Sequence, residues 1–243
     1  MPTASLTVNN WPDAAAISGG EIGVAQVADG VQLGTSADLS ASGPTGPYTS
    51  TVYPNYGDAL QGETYAYAFP STGMSVTDIA TRSGLDAGLA AIDMSQALPL
   101  LDSASLDSSN AAQPALTFGS DAGSLASADG SIVYITWRGT DDAGQPVQSS
   151  WTILAPPSAT TVRAPALPVA AAAWAPPAGS SFGSPIVAVV EASFIAGYAR
   201  LRAQATVLPL QASLVSGYPH QALAPALPAD GTLRLTAYTV NGD

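Results

Sequence analysis

Gly179-Ser180-Ser181-Phe182-Gly183 satisfies the G-x-S-x-G pattern of a serine-hydrolase nucleophile elbow, and Glu191 and His220 follow in the order serine, acid, histidine. A triad of that kind would make Ser181 the nucleophile, His220 its base and Glu191 the group that orients the imidazole. The elbow is a strained turn, so it needs a strand before the serine and a helix after it. Here Pro176 and Pro177 precede the motif, and a strand-like run, 186–192 (IVAVVEA), follows it. The favoured reading is a Ser/Gly loop in a protein that is not an enzyme. The alternatives are a hydrolase using Ser181 and a carbohydrate-binding module.

Other chemistry is narrowed by composition. His220 is the single histidine and there is no cysteine. Imidazole clusters, thiolate metal sites, disulfides and cysteine nucleophiles therefore have no residues to build on, and neither a cofactor nor a resident metal is expected. Asp141 and Asp142, with Asp129 nearby in sequence, could offer oxygens to calcium. That ion takes about six to eight ligands from several chain positions, and 140–146 (TDDAGQP) has the composition of a plain turn. No pair of carboxylates stands in a context that marks glycosidase acids.

Aromatic residues are the remaining candidates for recognition. Tyr48, Tyr53, Tyr56, Tyr65 and Tyr67 crowd the first third of the chain. Tyr65, Tyr67 and Phe69 share one face of a strand-like run, with Thr64, Ala66 and Ala68 opposite. If 48–69 folds as a hairpin, Tyr53, Tyr56, Tyr65 and Tyr67 can meet across strands. Exposed, they would form a platform for a glycan or a protein partner, because flat amphipathic rings give contact area at low entropy cost. Buried, they would close a small core. Tyr56, in the turn Pro54-Asn55-Tyr56-Gly57, is the sharpest probe of the first outcome.

Eighteen carboxylates face six arginines and no lysine, for a net charge of −12. That balance repels phosphate backbones and anionic lipid, so neither nucleic acid nor direct membrane insertion is expected. Only 10% of residues are charged and 47% are hydrophobic, so the chain can bury a sizeable core.

The elements that must position any site are mostly strands. Two-residue alternation marks 64–69, 132–138 (IVYITWR), 147–154 (VQSSWTIL) and 232–240 (TLRLTAYTV). Shorter strands are expected at 4–9, 21–27 and 48–53, with a polar loop from 29 to 47. The run 186–192 is apolar on both faces, which predicts a central strand. In 132–154, Val133, Ile135, Trp137, Val147, Trp151 and Ile153 fall on one phase, predicting a hairpin with two inward tryptophans. Ser75-Val76-Thr77-Asp78 matches a broad capping box, and Leu85, Leu89 and Ile92 recur at helical spacing. One or two short helices are therefore expected over 76–94, and an irregular helical turn over 194–204. The motif APALP occurs at 164–168 and 224–228; its prolines suit sheet edges or connections between sheets.

These elements predict an all-β protein of one or two Ig-like antiparallel β-sandwiches with a short helical connector. The expected division is a small sandwich-like unit at 1–70, a helical and polar connector at 71–113 and a larger sandwich at 114–243. Leu6-Thr7-Val8, Gly23-Val24-Ala25-Gln26-Val27 and Gly46-Pro47-Tyr48-Thr49 resemble carboxypeptidase-regulatory-like and other Ig-like modules of bacterial surface proteins. The lysine-free, Ala/Ser/Pro-rich composition resembles secreted proteins and lipoproteins of high-GC bacteria. The resemblance implies a non-catalytic, extracytoplasmic binding, adhesion or spacer module, its signal or anchor absent from this chain. A protein or glycan partner would follow.

Overall fold

The computed structural model describes residues 4–11, 19–28, 31–40, 48–52, 61–69, 75–84, 91–120, 123–203 and 231–241. The chain is all-β. In order, its described strands are β1 (Ala4–Asn9), β2 (Gly19–Ala28), β3 (Val31–Ser40), β4 (Tyr48–Val52), β5 (Gln61–Phe69), β6 (Ser75–Gly84), β7 (Ile92–Asp93) and β8 (Ser103–Asp107). They continue with β9 (Ala115–Gly119), β10 (Gly130–Thr140), β11 (Pro146–Ala155), β12 (Thr161–Arg163), β13 (Ser181–Phe182), β14 (Ile186–Ala192) and β15 (Thr232–Thr239). The single described α-helix, α1, is Gly197–Ala203. No described helix is long and apolar enough to cross a membrane.

The main sheet runs β11-β10-β14-β15-β6-β5-β2-β3, with β13 pairing on β10 beside β14. Its ladders are antiparallel. Two three-stranded sheets accompany it, β4-β1-β7 and β12-β9-β8.

The period-2 pattern works out as written in the sequence. Val133, Ile135 and Trp137 of β10 join Val187 and Val189 of β14 on one face. Leu116 and Phe118 of β9 and Val162 of β12 close over them from the smaller sheet. This face-to-face packing is the sandwich core, and each fully buried aliphatic side chain in it contributes about 1.5–3 kcal/mol. The opposite phase, Ile132, Ala188, Val190, Leu233 and Leu235, packs with Ile195 and with Leu201 of α1. Hence β14 is buried on both faces, as its uninterrupted apolar run requires.

Several expectations are corrected. Residues 75–84 form β6, a strand paired with both β5 and β15, where a helix was expected. Val76, Thr77, Ile79 and Thr81 are β-branched residues that suit a pleated, half-buried surface, and two flanking ladders outweigh a local capping signal. Thr77 shows the fit: its hydroxyl donates to the Leu98 carbonyl at 2.8 Å from a buried position. Within 71–113, expected to be a helical and polar connector, the chain also contributes β7 and β8. The expected loop at 29–47 contains β3. The 48–69 hairpin does not form: β4 pairs with β1, whereas β5 pairs with β2 and β6. Strands from 1–70 and from 114–243 thus share the main sheet through β6.

Trp137 is buried as expected. Trp151 is only half-buried. It lies opposite Ile135 in the ladder, but β11 is the end strand of the main sheet, so no further described strand flanks it on its other side.

Candidate ligand cleft

The site is assembled by two ladders on β10. Pairing with β13 sets Arg138 against Ser181 and Trp137 against Phe182. Pairing with β11 sets Arg138 against Gln148. Between these neighbours opens a cleft of about 470 Å³ lined by Thr136, Trp137, Arg138, Gln148, Ser181, Phe182, Gly183 and Ser184. A second hollow of about 510 Å³ shares Arg138, Gln148 and Ser181 with it. Both lie in the size range of small-ligand sites.

Glycine is needed where the backbones converge. A Cβ on Gly139 would fall 2.5 Å from the Ser180 hydroxyl, and one on Gly183 would meet the Thr136 hydroxyl. Ser180 is itself fixed, its hydroxyl donating to the Pro177 carbonyl at 2.8 Å.

Among the described residues, Arg138 is the only charged group lining the cleft. Its Nε donates to Ser181 Oγ at 3.1 Å, and it forms no ion pair among the described residues. Hydroxyls and an amide surround it, with no carboxylate in the lining. An exposed guanidinium in such company presents a planar donor fork to a carboxylate or another planar anion. The indole Nε1 of Trp137 is buried without a hydrogen-bond partner, an uncommon state for a native polar group.

The triad suggested by the sequence is not brought together. Ser181 lies in β13, a short strand followed by the strand β14, and no helix supports an elbow. Glu191 sits near Gly130 and Ser181 near Arg138, at opposite ends of β10. Eight residues of strand separate those ends, roughly 26 Å at ~3.3 Å per residue. His220 lies outside the described residues.

Glu191 belongs instead to a separate niche of about 270 Å³ with Ser127, Asp129, Ser193, Thr232 and Arg234. Its Oε1 accepts from Arg234 Nη1 at 2.5 Å, and its Oε2 accepts from Ser127 at 3.3 Å. Arg234 Nη2 also donates to Gln96 Oε1 at 2.9 Å. Asp129 is buried, and its carboxylate accepts the Ala192 N–H at 2.8 Å and the Gly197 N–H at 2.7 Å. Every charge in this niche has an internal partner, so the groups are structural.

Two other carboxylates are held below their ordinary pKa. Asp93 accepts from the Asn10 amide, the Ser95 hydroxyl and the Ser95 N–H, and Asp107 accepts from Ser109. Asp141 accepts the Ala143 and Gln145 N–H groups at 2.9 and 2.7 Å, closing the β10–β11 turn with Gly144 at φ +74°. Among the described residues no group of three or more metal-ligating side chains is placed to hold a metal ion.

Of the expected platform, Tyr53 and Tyr56 lie outside the described residues. Tyr65 and Tyr67 lie in β5, opposite Gly23 and Glu21 of β2, and their side chains are outside the description. Among the described residues the large exposed aromatic is Trp174, 70% accessible, on a 3-10 segment Val169–Trp174 that also presents Val169. Sequence reasoning passed over it because no alternation surrounds it. The available signal was a lone indole in an uncharged Ala/Pro run, which has too few large side chains to bury it.

No family model and no curated protein matches the chain. A solved structure of chicken CNTN1 FN1–FN3 domains aligns over 77% of this chain and 57% of that one, at 14% identity and a TM-score of 0.20. The chain therefore spans little more than half of that structure, and a score that low carries no argument.

Proposed function

We propose that the protein is a non-catalytic, extracytoplasmic β-sandwich module that binds an acidic glycan in the Arg138 cleft. The observation carrying this reading is the Arg138 guanidinium, free of ion pairs among the described residues and ringed by hydroxyl and amide groups, in a chain of net charge −12. Carboxylates outnumber basic residues three to one in the chain yet line no part of this cleft. Thr136, Gln148 and Ser181 supply the alternating donors and acceptors that sugar hydroxyls require. Trp174 precedes by five residues Gly179, which lines the adjoining hollow, and its exposed indole offers a stacking surface for a sugar ring. The extracytoplasmic assignment rests on the secreted-type composition.

Binding of uronic-acid and matching neutral oligosaccharides to wild type and to Arg138→Gln tests the reading. The expected result is selective retention of the acidic sugars, weakened at least about tenfold by the substitution, as loss of a charge-assisted pair implies. Equal retention by both proteins overturns the cleft assignment. Sugar hydrolysis by wild type that disappears in Ser181→Ala would establish the hydrolase instead.

A further inference from the structure

The two ends of the main sheet differ in how they are protected. At one end, β3 meets β2 through two register shifts and carries Asp38. Bulges and charges of that kind stop an edge from pairing with another chain. At the other end, β11 runs from Pro146 to Ala155 in unbroken register with β10. It carries no charged residue and no proline after its first position. From Pro146 to Leu154 none of its residues is fully buried.

The direction of its backbone groups can be read from two contacts. Asp141 N–H donates to the Gln145 carbonyl, so Gln145 forms a hydrogen-bonded pair toward β10. Antiparallel pairs alternate, so 147, 149, 151 and 153 bond inward and 148, 150, 152 and 154 face outward. The Tyr198 hydroxyl agrees, donating to the Leu154 carbonyl at 2.9 Å from α1. Proline at 146 agrees as well, since an outward position needs no donor. The outward stretch is therefore stopped by Pro146 at one end and by Tyr198 at the other. Gln148, Ser150 and Thr152 lie between, their N–H and C=O groups without a strand partner among the described residues.

We propose that β11 is a self-association edge: two copies of this chain pair antiparallel through Gln148, Ser150 and Thr152, with the two-fold axis at Ser150. The sequence is self-complementary in that register. Val147 faces the partner's Ile153, Gln148 faces the partner's Thr152, and Trp151 faces the partner's Ser149, large against small. Each copy donates three backbone N–H groups to three carbonyls of the other, and the main sheets become continuous. An isologous contact of this kind closes on itself and does not propagate. Because β11 is uncharged, the two copies bring no like charges together at the seam. The net −12 on each still repels at long range, so association strengthens as salt screens it.

Sedimentation of the full chain over a concentration series tests this. Wild type is expected to move from 24.2 kDa toward twice that mass, with a dissociation constant that falls when salt is raised from about 50 to 500 mM. Ser150→Lys and Ser150→Pro are expected to remain monomeric and, at concentrations low enough that wild type is monomeric too, to melt with it, because position 150 gives no hydrogen bond to β10. Should the proline variant fail to fold, the lysine variant carries the test. In this cysteine-free chain, air oxidation of Ser150→Cys is expected to give a covalent dimer, and of Ser158→Cys, in an exposed turn, a monomer. A wild type that stays monomeric at high salt and hundred-micromolar concentration overturns the proposal, and so does a dimer that survives Ser150→Lys.

Discussion

Replacing Asp129 by alanine removes one carboxylate that ties three elements together. Asp129 precedes β10, its own N–H donates to Val190 O at 2.8 Å, and its carboxylate receives the Ala192 and Gly197 amides. Those amides end β14 and begin α1, so the side chain sets where Leu201 enters the core. In the alanine variant the Ala192 N–H is left buried without an acceptor, while the Gly197 N–H, partly exposed, recovers water. The first loss costs about 1–3 kcal/mol and the second about 1 kcal/mol, so the sum is about 2–4 kcal/mol. For a chain of this size the melting temperature falls about 2–4 °C per kcal/mol. Circular dichroism melts should therefore show Asp129→Ala roughly 4–16 °C below wild type. Asp129→Asn keeps one acceptor and should fall between them. Asp142→Ala, in the exposed hairpin turn, should leave the melt unmoved. If Asp129→Ala melts with wild type, the carboxylate is not holding α1 and the structural reading of that niche fails.

Other substitutions separate core from surface. Trp137→Ala should lower stability by about 3–5 kcal/mol in urea denaturation, and Trp151→Ala by less, about 2–3 kcal/mol, because part of its surface stays in water; a larger loss at Trp151 than at Trp137 would overturn this ranking. Trp174→Phe should remove the most acrylamide-quenchable part of the tryptophan emission, leaving a smaller quenchable part from Trp151 because Trp11 and Trp137 are buried, with a stability change within about 0.5 kcal/mol. Asp93, held below the ordinary carboxylate range by Asn10 and Ser95, contributes stability above its unfolded pKa that is lost as pH falls through its folded value. The melting-temperature gap between wild type and Asp93→Asn should hold from pH 5 to 8 and shrink below about pH 4; a gap independent of pH would remove charge from the explanation. An anisotropy titration with duplex DNA at physiological salt should show no micromolar binding, given the −12 charge.

What the sequence determined by itself was local. Alternation placed Val133, Ile135 and Trp137 on one face of β10, and Leu233, Leu235 and Ala237 on one face of β15, because side chains alternate whatever lies beside the strand. The doubly apolar run 186–192 announced a central strand for the same reason. Tertiary structure decided everything that depends on neighbours. Residues 75–84 carry a capping signal and β-branched residues together, and only the ladders from β5 and β15 resolve that conflict in favour of a strand. Ser181 and Glu191 are ten positions apart in sequence, yet pairing along β10 sends them to opposite ends of that strand. Arg138 and Gln148 meet through the hairpin that alternation predicts, but Ser181 joins them from a separate strand, and no spacing encodes that meeting. The pattern within a strand sets which face a side chain occupies; which strand lies alongside is chosen by long-range packing, and on that choice the cleft and the open edge of β11 depend.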